Sequence, residues 1–310
     1  MSTNGDVSRT PTRVFVFDTM RTRSFLFMRY FSTNPKLHPQ LFTFIHASWL
    51  GSENWWQHCR PCGMARYEGL TNFMGPDTIK SSQKAYEDFV HESEKQGRTS
   101  FAKEHIFNVL KTDPLFNLLR NPNSTLSGTE NPTHIPTPLF NTLTPIFIIR
   151  HPILKLSSTY RDVVAMSTLR HDDEDADIIM SYKFLRCLFD LFRERGQEPI
   201  VVDAEDTLWR AKEMTTNVCA RIGLEVGEVR ETWKKVEDGE RTGNAMIREW
   251  LGTMYESEGI ERPDVRPQIP DINTAYASWQ KAYGDEAADK LRLWYDQAMT
   301  HYEYMVKFKA

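Results

Sequence analysis

Arg21, Thr22, Arg23 and Ser24 put two guanidinium groups and two hydroxyls into one short turn. Fork-shaped cations beside hydroxyl donors match a phosphate or sulfate group. The turn follows an apolar run, residues 14–17, and leads into a helix expected over residues 23–31. Its backbone N–H groups and the positive end of the helix dipole therefore aim at the same anion. A Walker-type triphosphate loop needs G-x-x-x-x-G-K-[ST], and no Gly or Lys lies between Asp18 and Phe25, so ordinary triphosphatase chemistry is disfavoured.

A second group is Lys103-Glu104-His105. An imidazole takes a proton from an acceptor hydroxyl near neutral pH, and Lys103 offsets charge that develops on a transferred group. Glu104 is the alternative base. A third group is Arg150 with Ser158 eight residues on, a little over two helical turns, a spacing that lets both grip a second anion. Arg241-Thr242-Gly243 lies in a charged run before a helix, where a solvated role competes with an anion contact.

Between residues 42 and 73 aromatic and imidazole side chains crowd together, at Phe42, Phe44, His46, Trp49, Trp55, Trp56, His58, Tyr67 and Phe73. Of these, Trp49, Trp55, Trp56, Tyr67 and Phe73 are expected to wall an apolar substrate pocket. Cys59-Arg60-Pro61-Cys62 lacks the two further ligands of a zinc site and the strand-then-helix context of a thioredoxin-like motif. No metal is expected. With Cys187 and Cys219, the four cysteines do not make a disulfide framework in a chain this long.

The elements that must position these groups are strands separated by helical stretches. Strands are expected at residues 14–17, 99–103, 145–149 and 199–203. Helices are expected at residues 82–96, 106–110, 153–166, 178–195, 206–222, 228–236, 243–258 and 273–304. This alternation implies an α/β fold, a central parallel sheet flanked by helices on both faces, with its ligand at the carboxyl ends of the strands. The turns at residues 18–24, 103–105 and 150–152 all follow strand ends and should converge. Residues 121–144, rich in Asn, Pro, Thr and Ser, read as a long surface connection that serves as a lid, and residues 171–177 as an acidic, solvated break.

Residues 1–12 are polar and expected to be disordered, with residues 13–310 forming one α/β domain. A formal charge of −4 gives no reason to expect nucleic acid or an anionic membrane as partner. No run approaches the roughly 18 apolar residues of a membrane span, so the chain is expected in the cytoplasm. Oligomeric state is open.

In this order, the motifs resemble the sulfotransferase family. Met20-Arg21-Thr22-Arg23-Ser24 is similar to that family's Pro-Arg-Ser-x-Ser type loop, with Met for Pro and Thr for the first Ser. Lys103-Glu104-His105 is similar to its Lys-Thr-His, with Glu for Thr, and Arg150-His151-Pro152 with Ser158 to its 3′-phosphate pair. Arg241-Thr242-Gly243 corresponds to a later Arg-Lys-Gly, but the Gly-x-x-Gly-x-x-Trp-Lys that follows in the cytosolic steroid and phenol enzymes is missing. The resemblance implies a P-loop-like nucleotide-binding fold and 3′-phosphoadenosine 5′-phosphosulfate (PAPS) as cofactor. It also implies metal-free sulfuryl transfer to a hydroxyl of an apolar or aromatic small molecule. Two other readings follow from the departures: a relative that has dropped the nucleotide and runs a proton-transfer dehydration or cyclisation, and a catalytically silent binding protein.

Overall fold

Arg-Val-Phe-Val-Phe-Asp alternates β-branched and aromatic residues, and it forms β1 (Arg13–Asp18) at the centre of a sheet. The protein is described by a computed structural model that covers residues 12–67, 72, 74–166, 169–243 and 245–310; the expectations for residues 1–11 and for Phe73 fall outside these. Around β1 lie β2 (Leu37–Leu41), β3 (Thr99–His105), β4 (Leu143–Ile149) and β5 (Ile200–Asp203), in the order β2-β3-β1-β4-β5 and parallel throughout. The α/β architecture with a central parallel sheet is thus present. β2 was not expected from its sequence, Leu-His-Pro-Gln-Leu. It sits at the sheet edge, where a proline that cannot donate to the ladder is tolerated.

The helices in chain order are α1 (Ser24–Phe31), α2 (Ile45–Ser48), α3 (Ile79–Lys95), α4 (Ile106–Val109), α5 (Thr112–Arg120), α6 (Thr137–Phe140) and α7 (Pro152–Met166). They continue with α8 (Glu174–Met180), α9 (Lys183–Glu194), α10 (Asp206–Trp209), α11 (Ala211–Ile222), α12 (Ala245–Trp250), α13 (Gly252–Glu256), α14 (Ile272–Tyr283) and α15 (Asp285–Met305). Gly284, with φ of 84°, divides the long helix expected at residues 273–304 into α14 and α15. The helix expected at residues 228–236 is mostly replaced by extended chain, in which Thr232 bridges Gly259.

Pleating sorts the strand residues onto two faces. Phe15, Phe17, Ala102, Phe147, Ile149 and Val201 face one core, shared with α3, α9 and α15. Val14, Val16, Phe101, Ile146, Ile148 and Val202 face the other, covered by α1 and α11. Helices therefore cover both faces.

Two expectations about loops are corrected by packing. Residues 121–136 are not a free surface connection: Lys111 N–H donates to Pro132 O (2.9 Å), His134 N–H donates to Val109 O (2.7 Å), and Leu126, Thr133 and Ile135 are buried. The acidic run is not solvated throughout, because α8 starts within it and both Asp173 and Asp175 are buried.

Lys155 on α7 is completely buried and donates to Ile179 O (2.8 Å) and Met180 O (3.0 Å), which fastens α7 to the carboxyl end of α8. Burial pushes its ammonium down to about 7, with Asp18 opposing. The unfolded chain, with the ordinary value of 10.5, binds more protons between these values, so wild-type stability rises across that window by up to about 1.4 kcal/mol per pH unit. In Lys155→Met this slope is absent. Urea unfolding of both proteins at about pH 7 and about pH 9 should show the gap moving in favour of the wild type as pH rises; a constant gap refutes the assignment.

Candidate functional site

The site is built where β1 and β3 end. In register, Asp18 lies opposite His105 and Val16 opposite Lys103. Because alternate residues share a face, Lys103, His105 and Asp18 project to the α1 side and Glu104 to the other. His105 Nδ1 is 2.8 Å from Asp18 Oδ1, Lys103 Nζ is 3.2 Å from the same oxygen, and Lys103 Nζ is 3.1 Å from His105 Nδ1. Asp18 and Lys103 are completely buried and His105 nearly so. Burial by itself raises the Asp18 carboxyl, but the charges of His105 and Lys103, with hydrogen bonds from His105 and Ser24, overcome it and hold the group below its ordinary value.

Aromatic rings enclose this cluster. The Lys103 ammonium lies 4.6 Å from the centroid of Phe25 and 5.0 Å from that of Phe42. Phe107 stacks on the His105 ring at 5.4 Å, and Phe42 meets it edge-on at 5.9 Å. Neither Asp18 nor these three rings were singled out as site residues by sequence reasoning. For Asp18 a signal was available: a charged residue closing a wholly apolar strand.

Glu104, on the opposite face, is fully engaged. Its Oε2 accepts from the N–H groups of Phe44 and Ile45 at the start of α2 (2.9 Å each), and its Oε1 accepts from His105 N–H (2.8 Å) and Asn108 Nδ2 (3.1 Å). Four donors occupy the carboxylate, whereas His105 on the other face bonds Asp18.

The turn from Thr19 to Ser24 follows directly. Arg21 and Arg23 have φ of 63° and 56°, left-handed values that a non-glycine residue adopts at a cost. None of the backbone N–H groups of residues 19–23 donates a hydrogen bond among the described residues. The hydroxyl of Thr22 donates to Asp18 Oδ2 (3.2 Å) and Thr19 O (3.0 Å), and that of Ser24 also bonds Asp18. These two hydroxyls, expected at the anion, instead tie the turn to the base cluster. The buried Thr19 hydroxyl has no partner.

The arginines lie on the β4 side of the turn. Arg150 donates through Nη1 to Arg21 O and through Nε to Glu205 Oε1, 3.0 Å each, while Tyr182 Oη donates to Arg150 O. Arg21 Nε donates to Ser158 Oγ (3.0 Å) and pairs with Asp162 (2.8 Å). Arg23 shares Glu205 at 3.5 Å, and burial, followed by the charge of Arg150, pushes its guanidinium below its ordinary value. Three guanidinium groups thus face two carboxylates. Unbonded N–H groups, an orphaned buried hydroxyl and excess positive charge together fit a bound phosphosulfate.

Comparison with known proteins was made by sequence and by structure. No family model matches the chain. A sulfotransferase, ppzF, from Metarhizium majus is 24% identical over 260 residues, covering 74% of this chain and 75% of its own; its counterpart from Metarhizium rileyi is 22% identical with the same coverage. The chain is thus similar, at low identity, to curated proteins named sulfotransferases. Among solved structures, a sulfotransferase from Alicyclobacillus acidocaldarius aligns with a TM-score of 0.43 and 14% identity, over 80% of this chain and 92% of that one.

Other residues singled out by the sequence lie elsewhere. Arg241 donates to Val236 O (3.2 Å) and to Glu256 (2.6 Å), and no contact with Arg150 or Ser158 occurs among the described residues. Trp49, Trp55 and Trp56 are 3%, 2% and 8% exposed and belong to the apolar core. Trp49 and Trp55 pack on Phe107 at 5.5 and 5.6 Å and so back the ring stacked on His105. Tyr67 is half-buried against the same core. No group of three or more metal-ligating side chains and no helix long and apolar enough to cross a membrane occurs among the described residues.

Asp18→Asn tests the cluster. It leaves Lys103 buried without its anion and should cost about 3–5 kcal/mol at neutral pH. The native carboxyl lies below its unfolded value of 3.8, so its stabilisation is complete above that value and lost as pH falls through the native one. In denaturant titrations the gap between wild type and Asp18→Asn should therefore close in acid; a gap independent of pH refutes the role.

Proposed function

We propose that the protein transfers the sulfuryl group of PAPS to a hydroxyl of an apolar or aromatic small molecule. The observation that carries this reading is the junction of two sites through one carboxylate. Asp18 holds the base His105 and the counter-charge Lys103, and it also receives the hydroxyls of the anion turn. An acceptor hydroxyl next to His105 is thereby next to the anion patch, as an in-line displacement needs.

PAPS, when bound, supplies the sulfuryl group and leaves as adenosine 3′,5′-bisphosphate. Asp18 fixes the Nδ1 side of His105, so Nε2 receives the acceptor proton. Lys103 Nζ, 3.4 Å from Nε2, offsets negative charge beside it. Arg21, Arg23 and the N–H groups of the turn hold the phosphosulfate, and Arg150 with Ser158 hold the 3′-phosphate. Phe25, Phe42 and Phe107 keep water from the base. For the acceptor we assign a cavity of about 340 Å³ bordered by Met28, Leu41, Phe42, Leu251, Met254 and Tyr255, since Phe42 also meets His105. The reading places the enzyme in the cytoplasm.

Arg241 favours a second reading. Its guanidinium is taken up by Val236, Asp238 and Glu256, so one expected 3′-phosphate contact is spent within its own segment. A relative that has dropped the nucleotide would use His105 and the aromatic enclosure for proton transfer alone.

Calorimetric titration with adenosine 3′,5′-bisphosphate separates the two. The first reading expects sub-millimolar binding that weakens at least about tenfold in Arg150→Met, as loss of a charge-assisted bond to a phosphate would cause. No binding to the wild type overturns it. His105→Ala should keep nucleotide binding while turnover falls by about 10²–10⁴; turnover within about threefold of wild type removes His105 as the base.

A further inference from the structure

We propose that Cys59 and Cys62 are a redox-active dithiol that closes to an intramolecular disulfide by exchange with small disulfides. Sulfuryl transfer makes no use of this pair, and no metal-ligating cluster includes it among the described residues.

The two residues bracket a loop whose geometry is set by α8 and not by the loop itself. Asp175, a buried carboxylate, accepts Gly63 N–H (3.0 Å) and Met64 N–H (2.7 Å), and its Oδ2 lies 3.6 Å from Cys62 Sγ. Glu174 N–H donates to Pro61 O (3.1 Å), and its carboxylate accepts Arg60 N–H (2.7 Å) and pairs with Arg120. The chain on both sides of the sulfurs is held, and the sulfurs lie within hydrogen-bonding reach of each other. Little backbone ordering remains to be done when they join.

Their surroundings give them different roles. Cys59 is completely buried, whereas Cys62 is partly exposed. Cys62 Sγ accepts from Ala65 N–H (3.4 Å) and from the Cys59 thiol. The bond from Cys59 draws the Cys62 thiol below its ordinary value and the Ala65 N–H assists, with burial and the Asp175 carboxylate opposing; the thiol itself points at Trp56 O (3.2 Å). Cys62 is the accessible nucleophile and Cys59 the protected resolving thiol. By contrast, burial pushes Cys187 and Cys219 up to about 11 each, which leaves them inert.

The Cys62 thiolate attacks one sulfur of the small disulfide, forming a mixed disulfide and releasing one thiolate. Cys59 then gives its proton to that thiolate and attacks Cys62 Sγ, which releases a second thiolate; this takes up the proton that Cys62 lost on ionising. Two protein thiols are oxidised, and one small disulfide is reduced to two thiols.

The test reads thiols, so it is independent of turnover. The full chain is equilibrated in oxidised and reduced glutathione, quenched in acid, and alkylated with N-ethylmaleimide under denaturing conditions for peptide mass mapping. The proposal expects two alkylations to disappear together from the peptide that carries Cys59 and Cys62, while Cys187 and Cys219 stay fully alkylated. Cys59→Ser should accumulate a glutathione adduct on Cys62, and Cys62→Ser should form neither adduct nor disulfide. Full alkylation of the wild-type pair in excess oxidised glutathione overturns the proposal whether or not either variant folds. So does equal loss at all four cysteines.

Discussion

Three ionisable side chains, Asp18, Lys103 and His105, are buried against one another where two neighbouring strands end, and the architecture around them answers the cost of that burial. An isolated buried charge costs several kcal/mol. Here one carboxylate serves the Lys103 ammonium and the His105 ring, and two hydroxyls from the following turn complete its hydrogen bonding. The shape of the anion turn and the orientation of the base thus depend on the same group.

The turn has a second constraint, from the arginines. Two non-glycine residues in left-handed conformation point their side chains toward Ser158, Asp162 and Glu205, and Arg150 crosses from β4 to bond the turn's own carbonyl. The carboxylates hold three cations in place without cancelling them. The charge of Arg150 bears on Arg23, and a bound anion would relieve that repulsion.

Behind the cluster the two sheet faces are unequal. On one side Glu104 caps the short helix α2 and, through Asn108 and Trp55, links to the tryptophan core. On the other, Phe25 and Phe42 close over the ammonium. The tryptophans contribute rigidity at one remove, through Phe107, so an aromatic-rich segment that reads as a pocket wall backs the ring stacked on His105.

The sequence by itself determined the parallel α/β architecture, the chain positions of the anion turn, of Lys103 and His105, and of Arg150. These are local properties: apolar runs of strand length, residue types with distinctive chemistry, and the rule that parallel strands present their ends together. It left β2 unseen because an edge strand tolerates proline, and it left His105 and Glu104 as rival bases. Only the tertiary structure sets them apart, with His105 beside Asp18 and Glu104 on the opposite face, because strand register decides which residue lies opposite Asp18 and pleating decides which face each side chain takes. It also decided that Asp173 and Asp175 are buried, that Arg241 is engaged within its own segment, and that Asp18 joins the two halves of the site. Those outcomes rest on contacts between residues distant in the chain, which no local pattern encodes.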